Sequence, residues 1–309
     1  MKIAVTGAAG YVGSVLCEEL LYDEYDVVAI DNFQRGSCDS LIPYTSDPQF
    51  KFIHADVTNE KDINRILSQV DAVIHLAAIV GFPKCAEAIA ISKLINENGT
   101  QIVAQTAKKY GLKMLFASTG SVYGKVDGIC TEESPLNAVS HYGITKINAE
   151  KYMFAEVPHA VAYRFATGFG VGKTMRVNLL VNDLVYLALS NHTITIFEAD
   201  AKRTFFHVRN MVDAFKFGLE NYDLMKDHIY NAGSNTMNAS KRELAEMISK
   251  KTGCHLHYAE VGIDADLRDY VVDYGKLNNL GWKTTISLEQ GINELIKVTP
   301  LLKIKHNYE

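Results

Sequence analysis

Cysteine is scarce in this chain and shows no pairing pattern. The 309 residues include five cysteines, an odd number, and no two of them stand in a Cys-x-x-Cys spacing. An odd and scattered set argues against a disulfide framework and against the usual zinc motifs. The sequence therefore indicates reduced thiols, no bound metal and a cytoplasmic location.

The chain also lacks an excess of positive charge and any long apolar run. Lysine and arginine number 31 against 36 aspartates and glutamates, which gives a net charge of -5. This balance provides no general attraction to nucleic acid or to an anionic membrane. No apolar run approaches the roughly 20 residues that cross a bilayer, and no charged-then-apolar leader opens the sequence. We expect neither nucleic acid nor membrane as a partner.

A glycine-rich segment near the N-terminus is the most informative pattern that is present. Gly7, Gly10 and Gly13 follow an apolar stretch, and a second apolar stretch ends in Asp31. Strand, glycine turn, helix and acid-tipped strand form a dinucleotide-binding unit, in which the helix N-terminus meets the pyrophosphate. A carboxylate at position 31 accepts hydrogen bonds from ribose hydroxyls and repels a 2′-phosphate. The pattern predicts NAD as the cofactor.

Apolar runs continue to alternate with helical stretches after this unit. A helix is predicted over 92–110, ended by Gly111, and further strands are predicted at 50–54, 70–76, 114–118 and 160–165. Strands that alternate with helices form a parallel sheet covered on both faces. The expected fold is therefore α/β, a doubly wound parallel Rossmann sheet.

The pattern changes after Gly170, where helices and short strands predict a smaller α/β C-terminal lobe that binds the substrate. Chains of this length usually form one large or two smaller domains. We divide this one into an NAD-binding domain at 1–168, with a return segment near 205–233, and a nucleotide-sugar-binding lobe at 169–309.

Three polar residues follow the predicted strand at 114–118. Thr119 is followed by Tyr142 and Lys146, and the Tyr-x-x-x-Lys spacing places both side chains on one helix face, one turn apart. An ammonium near a phenol favours the ionised phenolate. A phenolate can take a proton from a sugar or alcohol hydroxyl while hydride leaves the same carbon for a nicotinamide.

With these residues in place, the chain resembles the extended short-chain dehydrogenase/reductase family, in its sugar-nucleotide epimerase and dehydratase branch. The shared motifs run almost end to end, from Thr6–Gly13 through Tyr142/Lys146 to 280–282. The resemblance implies that Thr119 binds the reacting hydroxyl, that Tyr142 is the base and that Lys146 holds the nicotinamide ribose. The implied cofactor-binding residues are Gly7, Gly10, Tyr11, Val12, Gly13, Asp31, Asn32, Asp56, Val57, Leu76, Ala77, Ala78, Asn96 and Phe165. The implied substrate-binding residues are Thr167, Arg176, Asn182, Arg203 and Arg268, with Arg203 on the substrate's diphosphate.

Departures from the family pattern narrow the reaction. The 4,6-dehydratases of this branch carry an acid where this chain has Ser121, and a hydroxyl does not readily replace a carboxylate in proton transfer. Dehydration is therefore disfavoured unless Glu132 or Glu133 substitutes. Thr167 replaces an asparagine of many UDP-galactose 4-epimerases, which leaves the nucleobase, GDP or UDP, open.

Several functions stay open at this point. The simplest is reversible C4 oxidation by an NDP-sugar 4-epimerase of polysaccharide precursor synthesis. Segments 79–83 and 175–182 look like a capsule-synthesis subgroup that includes a GDP-heptose 4-dehydrogenase, so a net dehydrogenase is the alternative. A non-catalytic NAD-binding protein is a third possibility, although it would gain nothing from the Tyr142 and Lys146 pair. Members of this family commonly dimerise through two helices, and the resemblance therefore predicts a homodimer.

Overall fold

The computed structural model describes residues 1–259 and 269–302. Its strands are β1 (Lys2–Thr6), β2 (Asp26–Asp31), β3 (Phe50–His54), β4 (Ala72–His75), β5 (Lys113–Thr119), β6 (Lys125–Cys130), β7 (Val161–Phe165), β8 (Thr167–Phe169), β9 (Thr193–Ile196), β10 (Lys202–His207), β11 (His228–Ala232), β12 (Asn238–Ser240), β13 (His255–Tyr258) and β14 (Asp269–Val272). Its α-helices are α1 (Tyr11–Tyr22), α2 (Glu60–Leu67), α3 (Phe82–Glu87), α4 (Ile89–Lys93), α5 (Thr100–Tyr110), α6 (His141–Glu156), α7 (Leu180–Ser190), α8 (Val208–Glu220), α9 (Tyr222–Met225), α10 (Lys241–Thr252), α11 (Gly275–Asn278) and α12 (Leu288–Val298).

Seven parallel strands form the main sheet, in the order β11-β7-β5-β4-β1-β2-β3. From β1 the chain winds in one direction to β2 and β3, and then in the other to β4, β5, β7 and β11. The switch between β1 and β4 opens a crevice at the carboxyl ends of these strands, where such folds bind their ligands. The predicted doubly wound α/β fold is confirmed.

Alternate residues of the central strands face opposite layers, as the two-residue period of a strand requires. In β1, Ile3 and Val5 pack in an apolar cluster that includes residues of α1 and α8, whereas Ala4 packs in a second cluster with residues of α2, α5 and α6. Both faces of the sheet are therefore covered, which explains the continuous apolar runs in the sequence.

The predicted helix at 92–110 is interrupted. Helix α4 ends at Lys93, a π-helical segment covers Leu94–Gly99, and α5 then continues to Tyr110. Gly111 ends α5 with a left-handed φ of 63°, as expected. Asn96 lies in this π-helical segment, and its side chain contacts the loop that follows β4.

Smaller sheets β8-β10-β12, β9-β13 and β6-β14 lie outside the main sheet. A third apolar cluster packs α7, α10 and α12 together. The division at residue 168 stays a proposal, with α8 and β11 as the return segment that packs on the main sheet. Within 1–259 and 269–302, no helix is both long and apolar enough to cross a bilayer.

Candidate active site

A cavity of about 680 Å³ runs along the carboxyl ends of the central strands. The glycine turn after β1 forms one part of its wall, and the ends of β5 and β7 form another. All three predicted catalytic residues line it, together with every predicted cofactor residue except Asn96. Of the predicted substrate residues, Thr167 and Arg176 line it.

The glycine turn forms a close cradle at the start of α1. Gly7 has a φ of 71°, and a Cβ there would lie 2.8 Å from the backbone nitrogen of Ala77. A Cβ at Gly13 would lie 2.1 Å from the carbonyl oxygen of Gly7. Side chains at these positions would therefore fill the space or distort the turn. The absence of side chains leaves the N-terminus of α1 open to a pyrophosphate group.

Asp31 ends β2 with its carboxylate fixed at the rim of this cradle. It is buried and accepts hydrogen bonds from the backbone N–H of Ala9 at 2.9 Å and of Phe33 at 2.8 Å. Each carboxylate oxygen has a second lone pair, so both remain able to accept from ribose hydroxyls. The fixed negative charge opposes a 2′-phosphate, and the residues present therefore fit NAD better than NADP.

Asp56 lines the same cavity. Its carboxylate accepts hydrogen bonds from the side chain of Asn32 at 2.7 Å and from the hydroxyl of Thr58 at 2.6 Å. Burial acts to raise the pKa of Asp56, but the hydrogen bonds from Thr58 and Asn32 outweigh it and lower the pKa. Asp56 is therefore ionised and rigidly held.

His75 supports the opposite wall without facing the cavity. Its Nδ1 lies 2.7 Å from the hydroxyl of Thr6, and its Nε2 lies 3.0 Å from that of Thr100. The same Thr6 oxygen accepts from the backbone N–H of Leu76 and Ala77, both at 3.2 Å. Burial lowers the pKa of His75 to about 3, so the ring is neutral at physiological pH. This chain of bonds holds the loop after β4 against β1.

The predicted catalytic residues come from two elements that meet at the cavity. Thr119 ends β5, and its hydroxyl lies 3.1 Å from the hydroxyl of Ser121. Tyr142 and Lys146 lie in the first two turns of α6, which begins after Ser140; the Ser140 hydroxyl accepts the backbone N–H of Gly143 at 3.1 Å. This cap fixes where the helix starts and hence where its Tyr-x-x-x-Lys face points.

Lys146 is buried with its ammonium directed at strand β5. Its Nζ donates to the carbonyl oxygen of Ala117 at 2.8 Å and lies 4.5 Å from the ring centroid of Phe116. Burial lowers the pKa of Lys146 to about 8, although Glu150 acts in the opposite direction. The ammonium still predominates at neutral pH, where it favours an ionised phenol beside it.

A buried ion pair behind this face supports it. Glu150 accepts from Arg164 at 2.8 Å, and both side chains are almost fully buried. Glu150 also accepts from the hydroxyl of Ser118, while Arg164 donates to the hydroxyl of Tyr123 at 3.1 Å. Burial acts to lower the pKa of Arg164, but Glu150 outweighs it and raises the pKa. The pair ties α6 to β5 and β7.

A model of the NAD dependent epimerase/dehydratase family matches residues 3–233. The chain belongs to this family. The predicted resemblance is thereby confirmed, as are the predictions of an enzyme and of NAD as its cofactor.

Members of the NAD dependent epimerase/dehydratase family that are similar to this chain have several activities. The putative UDP-glucose 4-epimerase of Methanocaldococcus jannaschii is 27% identical over 95% of this chain and 97% of its own length. The UDP-glucose 4-epimerase of Bacillus subtilis is 28% identical over 94% of each chain. The UDP-glucuronic acid decarboxylase 5 of Arabidopsis thaliana is 29% identical over 94% of this chain and 87% of its own.

Solved structures agree with this assignment. The UDP-glucose 4-epimerase of Thermotoga maritima, solved with UDP-glucose, has a TM-score of 0.85 at 25% identity and covers 97% of this chain and 99% of its own. A dTDP-glucose 4,6-dehydratase from Streptomyces venezuelae, with NAD bound, also has a TM-score of 0.85 at 25% identity, over 96% of each chain.

Three residues to which the family resemblance assigns ligand contacts do not line the cavity. Among the described residues, Asn96, Asn182 and Arg203 are absent from the cavity lining. All three are buried and hydrogen-bonded within the protein, and the ligand contacts predicted for them stay predictions. Arg268, the fourth such residue, lies outside the described residues.

Asn96 has a positioning role. Its amide accepts from the backbone N–H of Ile79 at 2.8 Å and donates to the carbonyl oxygen of Ile79 at 3.0 Å. It also donates to the hydroxyl of Thr145 at 3.0 Å, next to Lys146 in α6. Asn96 therefore joins the loop after β4 to α6. The sequence alone does not indicate which backbone groups the amide of an asparagine will contact.

Sequence reasoning missed Glu150 and Arg35. Glu150 lies four residues after Lys146, which places it on the same helix face, and this spacing was an available signal. Arg35 lines the cavity four residues after Asp31, in a loop whose course has no local signal.

Dehydration would require Glu132 or Glu133 to replace the acid that is missing at Ser121. Ser121 lines the cavity, whereas Glu132 and Glu133 are absent from its lining in the part of the chain that the structure describes. Glu132 instead accepts the backbone N–H of Asn231 at 2.7 Å, and burial raises its pKa. Dehydration therefore stays disfavoured.

Proposed function

We propose that this protein is an NDP-sugar 4-epimerase that acts by reversible oxidation at C4, in polysaccharide precursor synthesis. The observation that carries the proposal is the placement of Thr119, Tyr142 and Lys146 on one cavity, opposite a glycine cradle with Asp31 at its rim. The similarity to UDP-glucose 4-epimerases supports the same activity.

The chain's own residues supply the proton chemistry. Thr119 binds the C4 hydroxyl, and the Tyr142 phenolate removes its proton, while the charged Lys146 stabilises the phenolate. When bound, NAD supplies a hydride acceptor that can return the hydride. The 4-keto sugar rotates to present its other face, and Tyr142 gives the proton back to the oxygen at C4. Atoms and electrons balance, and only the configuration changes.

The cavity residues also argue against dehydration of the sugar. Loss of water after C4 oxidation needs a base at C5, and Ser121 stands where a dehydratase has its acid. Glu132 accepts the backbone N–H of Asn231, and among the described residues it is absent from the cavity lining. The ketone formed at C4 is therefore left to be reduced again.

A net 4-dehydrogenase acting on a GDP-heptose-like sugar is the second candidate. The observation that favours it is that Gly81, Met175 and Arg176, from the segments resembling the capsule subgroup, line the cavity. In addition, the hydroxyl oxygen of Thr167 is buried and lacks a hydrogen-bond partner among the described residues. It can therefore contact a ligand, and this contact would differ from the one made by the asparagine that many UDP-galactose 4-epimerases have at this position. The nucleobase therefore stays open between GDP and UDP.

The test combines product analysis with a matched pair of variants. Tyr142→Phe removes the proposed base and should lower turnover by about 10²- to 10⁴-fold with NAD binding retained. Tyr152→Phe removes a hydroxyl from the same helix, at a surface position where it accepts from Gln105 at 2.6 Å. That control should keep full activity. Equal activity in Tyr142→Phe would reject the proposal.

Assembly and location stay predictions. Ile91, Leu94 and Ile144 are exposed apolar side chains near the start of α6 and on the preceding helical segments. We propose that this face joins two copies of the chain, with light scattering of the purified protein as the test. A monomer at micromolar concentration would contradict it. The cytoplasmic location rests on the sequence pattern alone.

A further inference from the structure

A short segment of the smaller lobe crosses the glycine turn of the main sheet. We call residues 170–176, which follow β8, the strap. The hydroxyl of Thr174 donates to the carbonyl oxygen of Ala9 at 2.8 Å, and the hydroxyl of Tyr11 donates to that of Gly170 at 2.7 Å. A Cβ at Gly172 would lie 2.9 Å from the Tyr11 ring. The strap is therefore attached closely to the dinucleotide cradle.

Asn182 fixes both ends of the strap. Its Oδ1 accepts the backbone N–H of Gly170 at 2.9 Å, and its Nδ2 donates to the carbonyl oxygen of Arg176 at 2.9 Å. The backbone of Arg176 is thus held against the start of α7, and its side chain lines the cavity. This arrangement gives a physical use for the buried asparagine that resemblance assigned to the substrate.

A second arginine, Arg35, also lines the cavity. The Nη1 of Arg35 donates to the carbonyl oxygen of Val80 at 3.1 Å, which attaches Arg35 to the loop after β4. A Cβ at Gly81 in that loop would lie 3.8 Å from the Nη2 of Arg176. Burial and then the charge of Arg35 lower the pKa of Arg176. The two positive charges therefore act against each other.

The positive charges of Arg35 and Arg176 suit an anionic ligand. No carboxylate within 1–259 or 269–302 forms an ion pair with Arg35 or Arg176. Guanidinium groups bind phosphate oxygens with paired, charge-assisted hydrogen bonds. A diphosphate carries two negative groups, enough to offset the repulsion between two arginines.

We propose that Arg176 and Arg35 form a clamp for a diphosphate, closed over the glycine turn by the strap. The N-terminus of α1 would face the same diphosphate from below, if it belongs to the dinucleotide. A nucleotide sugar carries a diphosphate as well, and only this second source rests on the proposed function. The clamp itself requires only that the chain binds one of the two.

The experiment measures binding and not turnover. Calorimetry gives the affinity of nucleotide-free full-length protein for NAD, and of NAD-loaded protein for UDP and GDP. Arg176→Met removes the charge and keeps most of the length, and Arg35→Met does so at the exposed side of the clamp. Lys173→Met is the matched control, because Lys173 lies on the same strap but pairs outside the cavity with Glu18 at 2.8 Å.

The expected result is a loss of about 10- to 100-fold in affinity for one ligand in both arginine variants, with less than twofold change in the control. Loss of NAD affinity assigns the clamp to the dinucleotide, and loss of UDP or GDP affinity assigns it to the nucleotide sugar. Unchanged affinity for all three ligands in Arg35→Met and Arg176→Met would overturn the proposal. So would an equal loss in Lys173→Met, which would show that strap folding alone matters. If Arg176→Met does not fold, the affinities of Arg35→Met decide between these outcomes.

Discussion

Replacement of the buried lysine should make the fold more stable while it removes activity. Burial lowers the pKa of Lys146 from 10.5 to about 8, so the folded protein holds the charged form at a cost of about 3 kcal/mol, at about 1.4 kcal/mol per tenfold change in equilibrium constant. Lys146→Met removes that cost. It also removes the hydrogen bond to Ala117, which is worth about 1 kcal/mol. At pH 7 we expect a gain of about 2 kcal/mol.

The pH dependence of this gain carries the sharper test. Between pH 8 and 10.5 the folded protein releases the Lys146 proton while the unfolded chain keeps it, so the unfolded state binds more protons and wild-type stability rises relative to the variant. From pH 7 to pH 9.5 the advantage of Lys146→Met should shrink by about 2 kcal/mol. Any contribution from the lost hydrogen bond is constant and cancels from this difference.

Urea denaturation of both proteins at several pH values measures the effect, and turnover is assayed in parallel. Lys151→Met is the control, because Lys151 is an exposed lysine on the same helix. A stability difference between wild type and Lys146→Met that stays constant from pH 7 to pH 9.5 would refute the lowered pKa of Lys146. Retention of full turnover in Lys146→Met would refute the catalytic role.

Three further substitutions test other parts of the site. Gly13→Ala places a methyl group 2.1 Å from the carbonyl oxygen of Gly7, which should destabilise the fold by about 1–3 kcal/mol and weaken NAD binding; unchanged values in denaturation and calorimetry would contradict the cradle. Glu150→Gln leaves the Arg164 charge buried without its partner, and denaturation should show a loss of about 3–5 kcal/mol, while a neutral result would mean that the ion pair is dispensable. Asp31→Asn removes the charge that opposes a 2′-phosphate, so the NADP-to-NAD affinity ratio should rise about tenfold, and an unchanged ratio would remove Asp31 as the selector.

The first part of the fold was predictable because local sequence and final structure agree there. The spacing of Gly7, Gly10 and Gly13 serves a turn whose contacts lie within a few residues, and the strand that ends in Asp31 follows directly. The catalytic pair was equally local, since Tyr142 and Lys146 share one helix face. Such features depend on short-range geometry and on alternating apolar runs.

The features that were missed depend on distant partners. Strand β6, at Lys125–Cys130, has little apolar alternation and forms by pairing with Asp269–Val272. No local pattern indicates that the amide of Asn96 bonds to Ile79 and Thr145, which only the folded chain brings together. Arg35 and Arg176 come from loops about 140 residues apart, and no local pattern indicates that two loops meet over one cavity.

The most direct test of the proposed epimerase follows the sugar and the cofactor together. Purified protein is incubated with NAD and a panel of UDP- and GDP-linked hexoses and heptoses, and proton NMR of the sugar is recorded with the absorbance of NADH. We predict inversion at C4 of at least one nucleotide sugar with no net NADH. Stoichiometric NADH with a released ketone would contradict the epimerase and identify a dehydrogenase, and no change in any sugar of the panel would contradict both.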